Sequence, residues 1–326
     1  MQITHRPRRN RSSHSVRDLI AQTRLGVEDL IMPLFFCEGT QVKQPITSMP
    51  GQFRYSIDNL VDKCRELEDL GVKAVSLFPV IEEKKKTSRA LEAINSEGLN
   101  PRGIAAVKEA CPDLLVMADV ALDPYSSDGH DGFVDAQTGE ILNDETLEIL
   151  AQMALVEAQA GADIIGPSDM MDGRVSVIRK TLDSHGSHNT LIMSYTAKYA
   201  SSFYGPFREA LDSAPKAGDK KTYQMDFRNS QEAIRELKLD EREGADIVMV
   251  KPGLSYLDII QRFSENTELP IAAYNVSGEY AMVKAAAEKG WIDGQEVMLE
   301  MLTSFKRAGA DIILSYFTEE FARLEL

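Results

Sequence analysis

The sequence predicts an α/β fold, a (β/α)8 barrel of the TIM type with an extended N-terminal arm. Short apolar runs alternate with amphipathic stretches, and eight such runs follow residue 29. A Gly-Ala-Asp junction before an apolar run occurs at residues 161–165, 244–248 and 309–313, with a looser copy at 71–75. Strands that alternate with helices pair in parallel, and eight of them close into a barrel.

The predicted strands are short apolar runs, and the one at 246–251 is mostly β-branched, as is typical of a strand buried on both faces. They span residues 30–37, 73–80, 114–119, 163–167, 191–198, 246–251, 270–277 and 311–317. Predicted helices span residues 56–70, 143–160, 174–184, 230–243, 255–264, 279–289 and 294–308. Ser56 is expected to cap the first helix and Gly71 to end it. A doubly wound open sheet is the alternative, but no G-x-G-x-x-G motif follows the first strand.

Composition limits the classes of function. At 326 residues and 43% apolar content the chain can bury a large core, but no apolar run reaches the roughly 18 residues of a membrane span. The net charge of −15 argues against nucleic acid as the main partner. The N-terminus lacks a signal-peptide pattern and the three cysteines are isolated, so we expect a cytoplasmic protein with reduced thiols.

Residues 1–29 form a predicted arm that precedes the barrel domain of residues 30–326. Within residues 1–24 the only acidic residue is Asp18, while the arginines are Arg6, Arg8, Arg9, Arg11, Arg17 and Arg24. A basic arm on an acidic body is expected to reach onto another subunit; a disordered tail is the alternative, and the sequence leaves both open.

Two lysines stand at the ends of predicted strands. Lys251 ends the run at 246–251 and is followed by Pro252 and Gly253, and Lys198 ends the run at 191–198. The pKa of a free lysine is near 10.4, but burial and a neighbouring cation lower it until the neutral amine can form a Schiff base. A single such lysine is more often one that extends to solvent; the pair indicates chemistry.

Active sites of such barrels lie at the carboxyl ends of the strands. The other polar residues predicted there are Asp119, Ser168, Asp169, Ser277 and Tyr316. The repeated Asp163, Asp246 and Asp311 begin strands instead, so they are predicted to stabilise the opposite end. Insertions at 120–142 and 199–229 interrupt the short loops; we interpret the second as a lid, with disorder as the alternative.

Several long motifs resemble one enzyme family. They lie at residues 119–123, 166–174, 193–208, 248–252 and 274–280, and the similarity runs essentially end to end. The family is porphobilinogen synthase (5-aminolevulinate dehydratase). The resemblance implies a lyase of tetrapyrrole biosynthesis that condenses two molecules of 5-aminolevulinate to porphobilinogen with loss of two waters.

The resemblance also implies residue roles. Lys251 forms the Schiff base with the substrate in the P site, and Lys198 holds the second substrate, in the A site, through a second Schiff base or acts as a pKa-lowering cation. Ser277 and Tyr316 bind the P-site carboxylate. The A-site carboxylate is assigned to residues on or beside the lid, namely Arg208, Lys220 and Gln224.

Zinc-dependent members of that family carry three cysteines in the loop after the third strand, where this chain has Ala121, Asp123 and Asp131. Carboxylates suit Mg²⁺ or no metal better than zinc, so no catalytic zinc is predicted. Asp119, Asp123 and Asp131 are expected near the A-site amino group. Ordinary Asx-turn residues in a Gly-rich loop are the alternative for Asp123 and Asp131.

Magnesium-responsive members of the family hold an allosteric Mg²⁺ through one helical glutamate and water. Glu236 fits that position, with Asp169 and Arg174 as partners across a subunit contact. The resemblance further implies a homo-octamer assembled through the N-terminal arm. A solvated surface glutamate is the alternative for Glu236.

Two other functions compete with this interpretation. A class I aldolase would also use a Schiff-base lysine, but no Gly-rich phosphate cradle follows the seventh or eighth strand. A non-catalytic barrel would be favoured by loss of either lysine, and both are present.

Overall fold

Eight parallel strands close into a barrel in the computed structural model, which describes residues 3–324. Neighbouring strands in the barrel are also neighbours in the chain, and the last strand pairs with the first. The strands are β1 (Leu30–Cys37), β2 (Ala74–Val80), β3 (Leu115–Val120), β4 (Ile164–Pro167), β5 (Leu191–Lys198), β6 (Ile247–Lys251), β7 (Ile271–Asn275) and β8 (Ile312–Ser315). The predicted fold class is confirmed.

Helices surround the barrel. They are α1 (His14–Ile20), α2 (Ile57–Asp69), α3 (Leu99–Ala110), α4 (Asn143–Gln159), α5 (Arg174–Ser184), α6 (Gly205–Leu211), α7 (Gln231–Glu243), α8 (Leu257–Ser264), α9 (Ser277–Glu288), α10 (Gly294–Ala308) and α11 (Thr318–Ala322). All seven predicted helices are present, with ends within two residues of the prediction. Helices α1, α3, α6 and α11 lie outside the predicted ranges. In α3, Pro101 and Gly103 weaken the helical pattern, although Pro is tolerated in a first turn.

The last two strands are shorter than predicted. β7 ends at Asn275, and Ser277 is already the first residue of α9. The side chain of Glu279 accepts a hydrogen bond from the Val276 backbone N–H at 3.0 Å, which begins the helix there. β8 ends at Ser315, so Tyr316 follows the strand. Both residues still lie at the carboxyl end of the barrel.

The Gly-Ala-Asp junction has a structural explanation. Gly161, Gly244 and Gly309 have φ angles of +108°, +102° and +114°, a region in which glycine ends a helix without strain. The aspartate two residues later accepts a hydrogen bond from the N–H of the first or second residue of a neighbouring strand. The Asp163, Asp246 and Asp311 carboxylates bond Val116, Ile192 and Ile271 at 2.8, 2.8 and 2.9 Å. These residues stabilise the amino end of the barrel, as predicted.

Outside the barrel, short strands Lys43–Pro45 and Phe53–Ser56 extend the sheet beside β1. Ser56 is the N-cap residue of α2, as predicted, but its side chain makes no capping bond, because its Oγ accepts a hydrogen bond from the Val42 N–H at 2.8 Å instead. In the arm, the 3-10 helix Pro7–Arg11 and α1 contain no buried residue. Among residues 3–324, no helix has the length and apolar character needed to span a membrane.

Candidate active site

The two predicted lysines are direct neighbours at the carboxyl end of the barrel. Lys198 ends β5, Lys251 ends β6, and their Cα atoms are paired in register. Only 6% of Lys198 and 5% of Lys251 is exposed. The structure therefore brings the two predicted lysines together as buried neighbours at this end of the barrel.

An irregularity in β5 orients the residues before Lys198. Ser194 pairs with Val248 and Ala197 pairs with Val250, so three steps along β5 match two along β6. The extra residue is a β-bulge, and a bulge interrupts the strict alternation of side chains between the two faces. In a regular strand, Tyr195 and Lys198 would point to opposite faces because they are three residues apart. With the bulge, Tyr195 approaches both lysines: its ring centroid is 4.9 Å from Lys251 Nζ and 6.0 Å from Lys198 Nζ.

Lys251 lies in an aromatic pocket. Its Nζ is 4.5 Å from the ring centroid of Tyr274, 5.0 Å from that of Phe207 and 5.3 Å from that of Tyr204, in addition to Tyr195. Burial, followed by the charge of Lys198, lowers the pKa of Lys251 to about 7. At neutral pH a large fraction of this amine is unprotonated and nucleophilic.

Lys198 has polar contacts instead. Its Nζ lies 3.4 Å from Asp131 Oδ2 and donates a hydrogen bond to the backbone carbonyl of Ser168, just after β4. Ser168 therefore belongs to the site through its main chain, and Lys198 is held toward the loop at 120–142.

Three aspartates on β3 and its loop surround the lysines. Burial raises the pKa of Asp119 to about 6, although the charges of Lys251 and Lys198 oppose the shift. Burial likewise raises the pKa of Asp123, with Lys220 opposing. Burial also disfavours ionised Asp131, but Lys198 and Lys220 outweigh it and hold the pKa of Asp131 below its ordinary value. One carboxyl can exchange a proton near neutrality while another stays ionised.

The residues predicted to bind the A-site carboxylate come together. Arg208, Lys220 and Gln224 line a cavity of about 600 Å³. Lys220, however, directs its Nζ to Asp131 Oδ1 at 2.7 Å and to Asp123 Oδ2 at 3.1 Å. Within residues 3–324, the Arg208 guanidinium has no ion pair and the buried Gln224 Oε1 has no hydrogen-bond partner.

Ser277 and Tyr316 are both buried near the aromatic pocket. The Tyr316 hydroxyl is 3.1 Å from that of Tyr274. Ser277 Oγ accepts a hydrogen bond from the Phe207 N–H at 3.0 Å and donates one to the Phe203 carbonyl at 3.3 Å. The serine hydroxyl thus also ties the start of α9 to the segment that covers Lys251.

The predicted lid contains a firmly anchored helix, α6. The guanidinium of Arg54 donates to the carbonyls of Ala210 and Glu209 at 2.7 and 2.6 Å. Lys86 Nζ donates to the Asp212 carbonyl at 2.7 Å. Cations at a helix C-terminus satisfy its free carbonyls and its dipole. The anchoring fixes Phe207 over Lys251, and no local pattern predicts it because Arg54 and Lys86 precede the lid by more than 100 residues.

The rest of the lid packs on the loop at 120–142. His130 Nε2 is 2.9 Å from the Ala217 carbonyl, and His130 Nδ1 is 3.1 Å from the Tyr223 hydroxyl. The Asp131 N–H donates to the same hydroxyl at 3.3 Å. A neutral imidazole that donates through Nε2 satisfies all these groups. The sequence analysis assigned no function to His130 or Tyr223.

Glu236 lies half-buried on α7. Burial raises its pKa to about 7; Arg174 opposes the shift, and Asp240 and Asp172 add to it. A single carboxylate in acidic surroundings suits a largely hydrated Mg²⁺. In the part of the chain that the structure describes, no three His, Cys, Asp or Glu side chains are grouped as a metal-binding cluster.

The expected partners of Glu236 are not placed for a subunit contact. Arg174 is buried inside its own chain, where it lies 3.3 Å from Asp240 and 3.8 Å from the buried Asp169. The prediction that Asp169 and Arg174 act across a subunit contact is wrong for this reason. Arg174, the first residue of α5, also donates to Ser194 Oγ at 3.1 Å and so links α5 to β5.

Comparison with known proteins decides the family. The family model described as delta-aminolevulinic acid dehydratase matches residues 4–324. The chain belongs to the delta-aminolevulinic acid dehydratase family. The family predicted from the motifs is confirmed, and with it the class of enzyme, a lyase that acts as a porphobilinogen synthase.

Individual dehydratases align with almost the whole of this chain. A Synechococcus elongatus delta-aminolevulinic acid dehydratase is 53% identical over 322 residues, 98% of each chain. A chloroplastic one from Chlamydomonas reinhardtii is 52% identical over 330 residues, 98% of this chain and 84% of that one. The Toxoplasma gondii enzyme, solved with its reaction product porphobilinogen, has a TM-score of 0.97 and 53% identity, covering 98% of this chain and 91% of that one.

Proposed function

We propose that the enzyme condenses two molecules of 5-aminolevulinate asymmetrically to porphobilinogen, losing two waters, with Lys251 as the first nucleophile. The observation that carries this assignment is the buried amine of Lys251 in an aromatic pocket, where burial, followed by the charge of Lys198, lowers its pKa to about 7. The neutral amine adds to the ketone of one substrate, and loss of water leaves a protonated imine. The faces of Tyr195, Phe207 and Tyr274 stabilise that cation.

Lys198 serves the second substrate. Either it forms a second imine or its charge keeps Lys251 neutral; its contacts with Asp131 and Ser168 are compatible with both roles. An iminium makes the neighbouring carbon acidic and the former carbonyl carbon electrophilic, which is what joining two ketones requires.

The three aspartates have two different roles in this proposal. Asp119, with a pKa of about 6, faces both lysines and is suited to take a proton from the substrate carbon and to return it. Asp123 and Asp131 hold the amino group of the A-site substrate. We assign the P-site carboxylate to Ser277 and Tyr316, whose hydroxyls lie beside the pocket of Lys251.

Arg208, Lys220 and Gln224 bind the A-site carboxylate in this proposal. They line one cavity at the lid, and closure of the lid over the second substrate would exclude water from the imines.

Borohydride trapping tests the assignment of Lys251. With 5-aminolevulinate, we expect wild type to give a reduced adduct on Lys251 and none on the exposed Lys221. The Lys251→Met variant should lose this adduct and all porphobilinogen formation, but it should keep the circular dichroism spectrum of wild type. A Schiff-base aldolase or a non-catalytic barrel would give no adduct with this ketone. Porphobilinogen formation by the Met variant would refute the assignment.

Metal and assembly complete the proposal. Glu236 is the residue that would hold an allosteric Mg²⁺ through water, where the ion would offset the acidic charge of α7. No zinc is assigned to the A site, where Asp123 and Asp131 contact Lys220. The basic arm of residues 1–29 is assigned to contacts between subunits of a cytoplasmic homo-octamer. The lack of buried residues in its helices supports this, because a neighbour can cover them.

A further inference from the structure

Lys220 occupies a position that another ammonium group also needs. Its Nζ lies 2.7 Å from Asp131 and 3.1 Å from Asp123, and only 6% of the residue is exposed. Asp131 is fully buried and Asp123 nearly so. Two carboxylates and one ammonium form a compact charge-assisted cluster, and burial makes a missing partner expensive.

The same two carboxylates are the proposed site for the amino group of the second substrate. The ammonium of Lys220 and the ammonium of the substrate are chemically equivalent, and the hydrogen-bonding positions between Asp123 and Asp131 are taken by Lys220 in this structure.

Lys220 also borders the place where the substrate carboxylate is expected. It lines the cavity of Arg208 and Gln224. Among the described residues the Arg208 guanidinium pairs with no carboxylate, and Gln224 Oε1, on a side chain more than nine-tenths buried, has no partner. The Arg208 guanidinium therefore lacks an anionic partner, and Gln224 Oε1 lacks a hydrogen-bond donor.

We infer that the second substrate is recognised by an exchange of ammonium groups. Its amino group displaces Lys220 from Asp123 and Asp131, and the released Lys220 joins Arg208 and Gln224 on its carboxylate. The inference rests on the proposed function for the identity of that substrate and adds a specificity device: Lys220 holds the place of the amine until the amine arrives.

The exchange conserves ion pairs only for a ligand that carries both charges. A carboxylate without an amine has two poor options. If the carboxylate draws Lys220 to itself, the buried Asp131 loses that cation. If Lys220 stays in place, the carboxylate binds without the Lys220 ammonium. A ligand with both groups replaces each contact that it breaks.

Hydrogen exchange of the ligand-free enzyme tests the placeholder contact. We expect Lys220→Met to speed amide exchange across residues 213–229 at least about tenfold, because the ion pairs that hold this segment are lost. Lys221→Met is the matched control: Lys221 is adjacent, 72% exposed at its side chain and paired with Asp219 at 3.2 Å, so exchange should stay at the wild-type rate. Unchanged exchange in Lys220→Met would overturn the inference.

Two unreactive ligands test the exchange itself. 5-Aminopentanoate carries the amine and the carboxylate, pentanoate only the carboxylate, and neither has a ketone, so Schiff-base chemistry plays no part. By calorimetry we expect wild type to prefer the amine-bearing ligand, and Lys220→Met to enlarge that preference at least about tenfold because no placeholder has to be displaced.

An equal or smaller preference in Lys220→Met than in wild type would overturn the exchange. If neither ligand binds measurably, the hydrogen-exchange result alone decides. Failure of the proposed function would appear separately, as the absence of a borohydride adduct on Lys251.

Discussion

At the scale of single residues, two lysines with paired Cα atoms have different surroundings. Lys251 Nζ lies among aromatic faces, whereas Lys198 Nζ contacts Asp131 and the carbonyl of Ser168. The apolar pocket favours the neutral amine of Lys251. In the proposed function, this difference in surroundings assigns the first imine to Lys251.

Replacing Lys198 should change the pH dependence of Lys251. Lys251 must lose a proton to attack, so imine formation falls as pH drops through its pKa of about 7. Burial is the largest cause of the low pKa of Lys251, and the charge of Lys198 is the second. Because Lys198→Met removes that charge, the midpoint of imine formation at Lys251 should move to higher pH by about one unit. The measurement is the pH dependence of the Lys251 imine with 4-oxopentanoate, a keto acid without an amine, quenched with borohydride.

Lys198→Arg is the control for this prediction. Arginine keeps the positive charge beside Lys251 but forms no imine, so the midpoint should stay within a few tenths of a pH unit of wild type. A wild-type midpoint in the Met variant would mean that Lys198 does not set the protonation of Lys251.

At the scale of elements, the two ends of each strand have separate tasks. The amino ends carry aspartates that bond the neighbouring strand, and the carboxyl ends carry the residues of the site. The bulge in β5 is the exception to regular strand geometry, and it brings Tyr195 toward both lysines. Bulges of this kind are common next to active sites.

Asp163→Ala should lower the free energy of unfolding by about 1–3 kcal/mol, because the Val116 N–H and the Lys108 ammonium both lose their acceptor. Imine formation at Lys251 should be unchanged, since the substitution lies at the opposite end of the barrel. Denaturant unfolding and borohydride trapping measure the two effects.

Asp62→Ala serves as the control, because this exposed carboxylate contacts only Arg65 in α2. Its effect on stability should stay within about 0.5 kcal/mol. An Asp163 variant as stable as this control would contradict the role given to the junction.

At the scale of the whole molecule, charge is unevenly distributed. An acidic chain with net charge −15 carries a basic, exposed arm in which Leu19 is 81% exposed. Opposite charges on arm and body favour contact between copies, and an exposed leucine gains from being covered. Glu236 lies in an acidic part of the body, where a cation reduces repulsion.

Removing magnesium should therefore loosen the assembly. We expect a chelator to lower both the sedimentation coefficient and the activity of wild type, and added Mg²⁺ to restore them. Glu236→Gln should not respond to Mg²⁺, whereas Glu288→Gln, an exposed substitution on α9, should respond as wild type does. A Glu236 variant with a wild-type magnesium response would rule out this residue as the site. Stoichiometric zinc required for turnover would contradict the assignment of Asp123 and Asp131.

Sequence reasoning predicted the parts of the site that lie on regular elements. Lys198 and Lys251 end strands whose apolar runs are unmistakable, and parallel strands place their carboxyl ends together. It did not predict Arg54 or Lys86, because their carbonyl partners on and just after α6 are distant in the chain. It also misplaced Arg174, since nothing in the local pattern indicates a buried arginine between Asp169 and Asp240.

The sequence by itself determined the (β/α)8 order, the two lysines at strand ends and the family, because periodicity, strand ends and motifs are local properties of the chain. The tertiary structure alone decided which groups face each amine. It supplied the bulge that turns Tyr195 toward the lysines and the contact that places Lys220 between Asp123 and Asp131. Burial and the distances between charges arise only when distant segments pack together, and those two quantities set the pKa of Lys251.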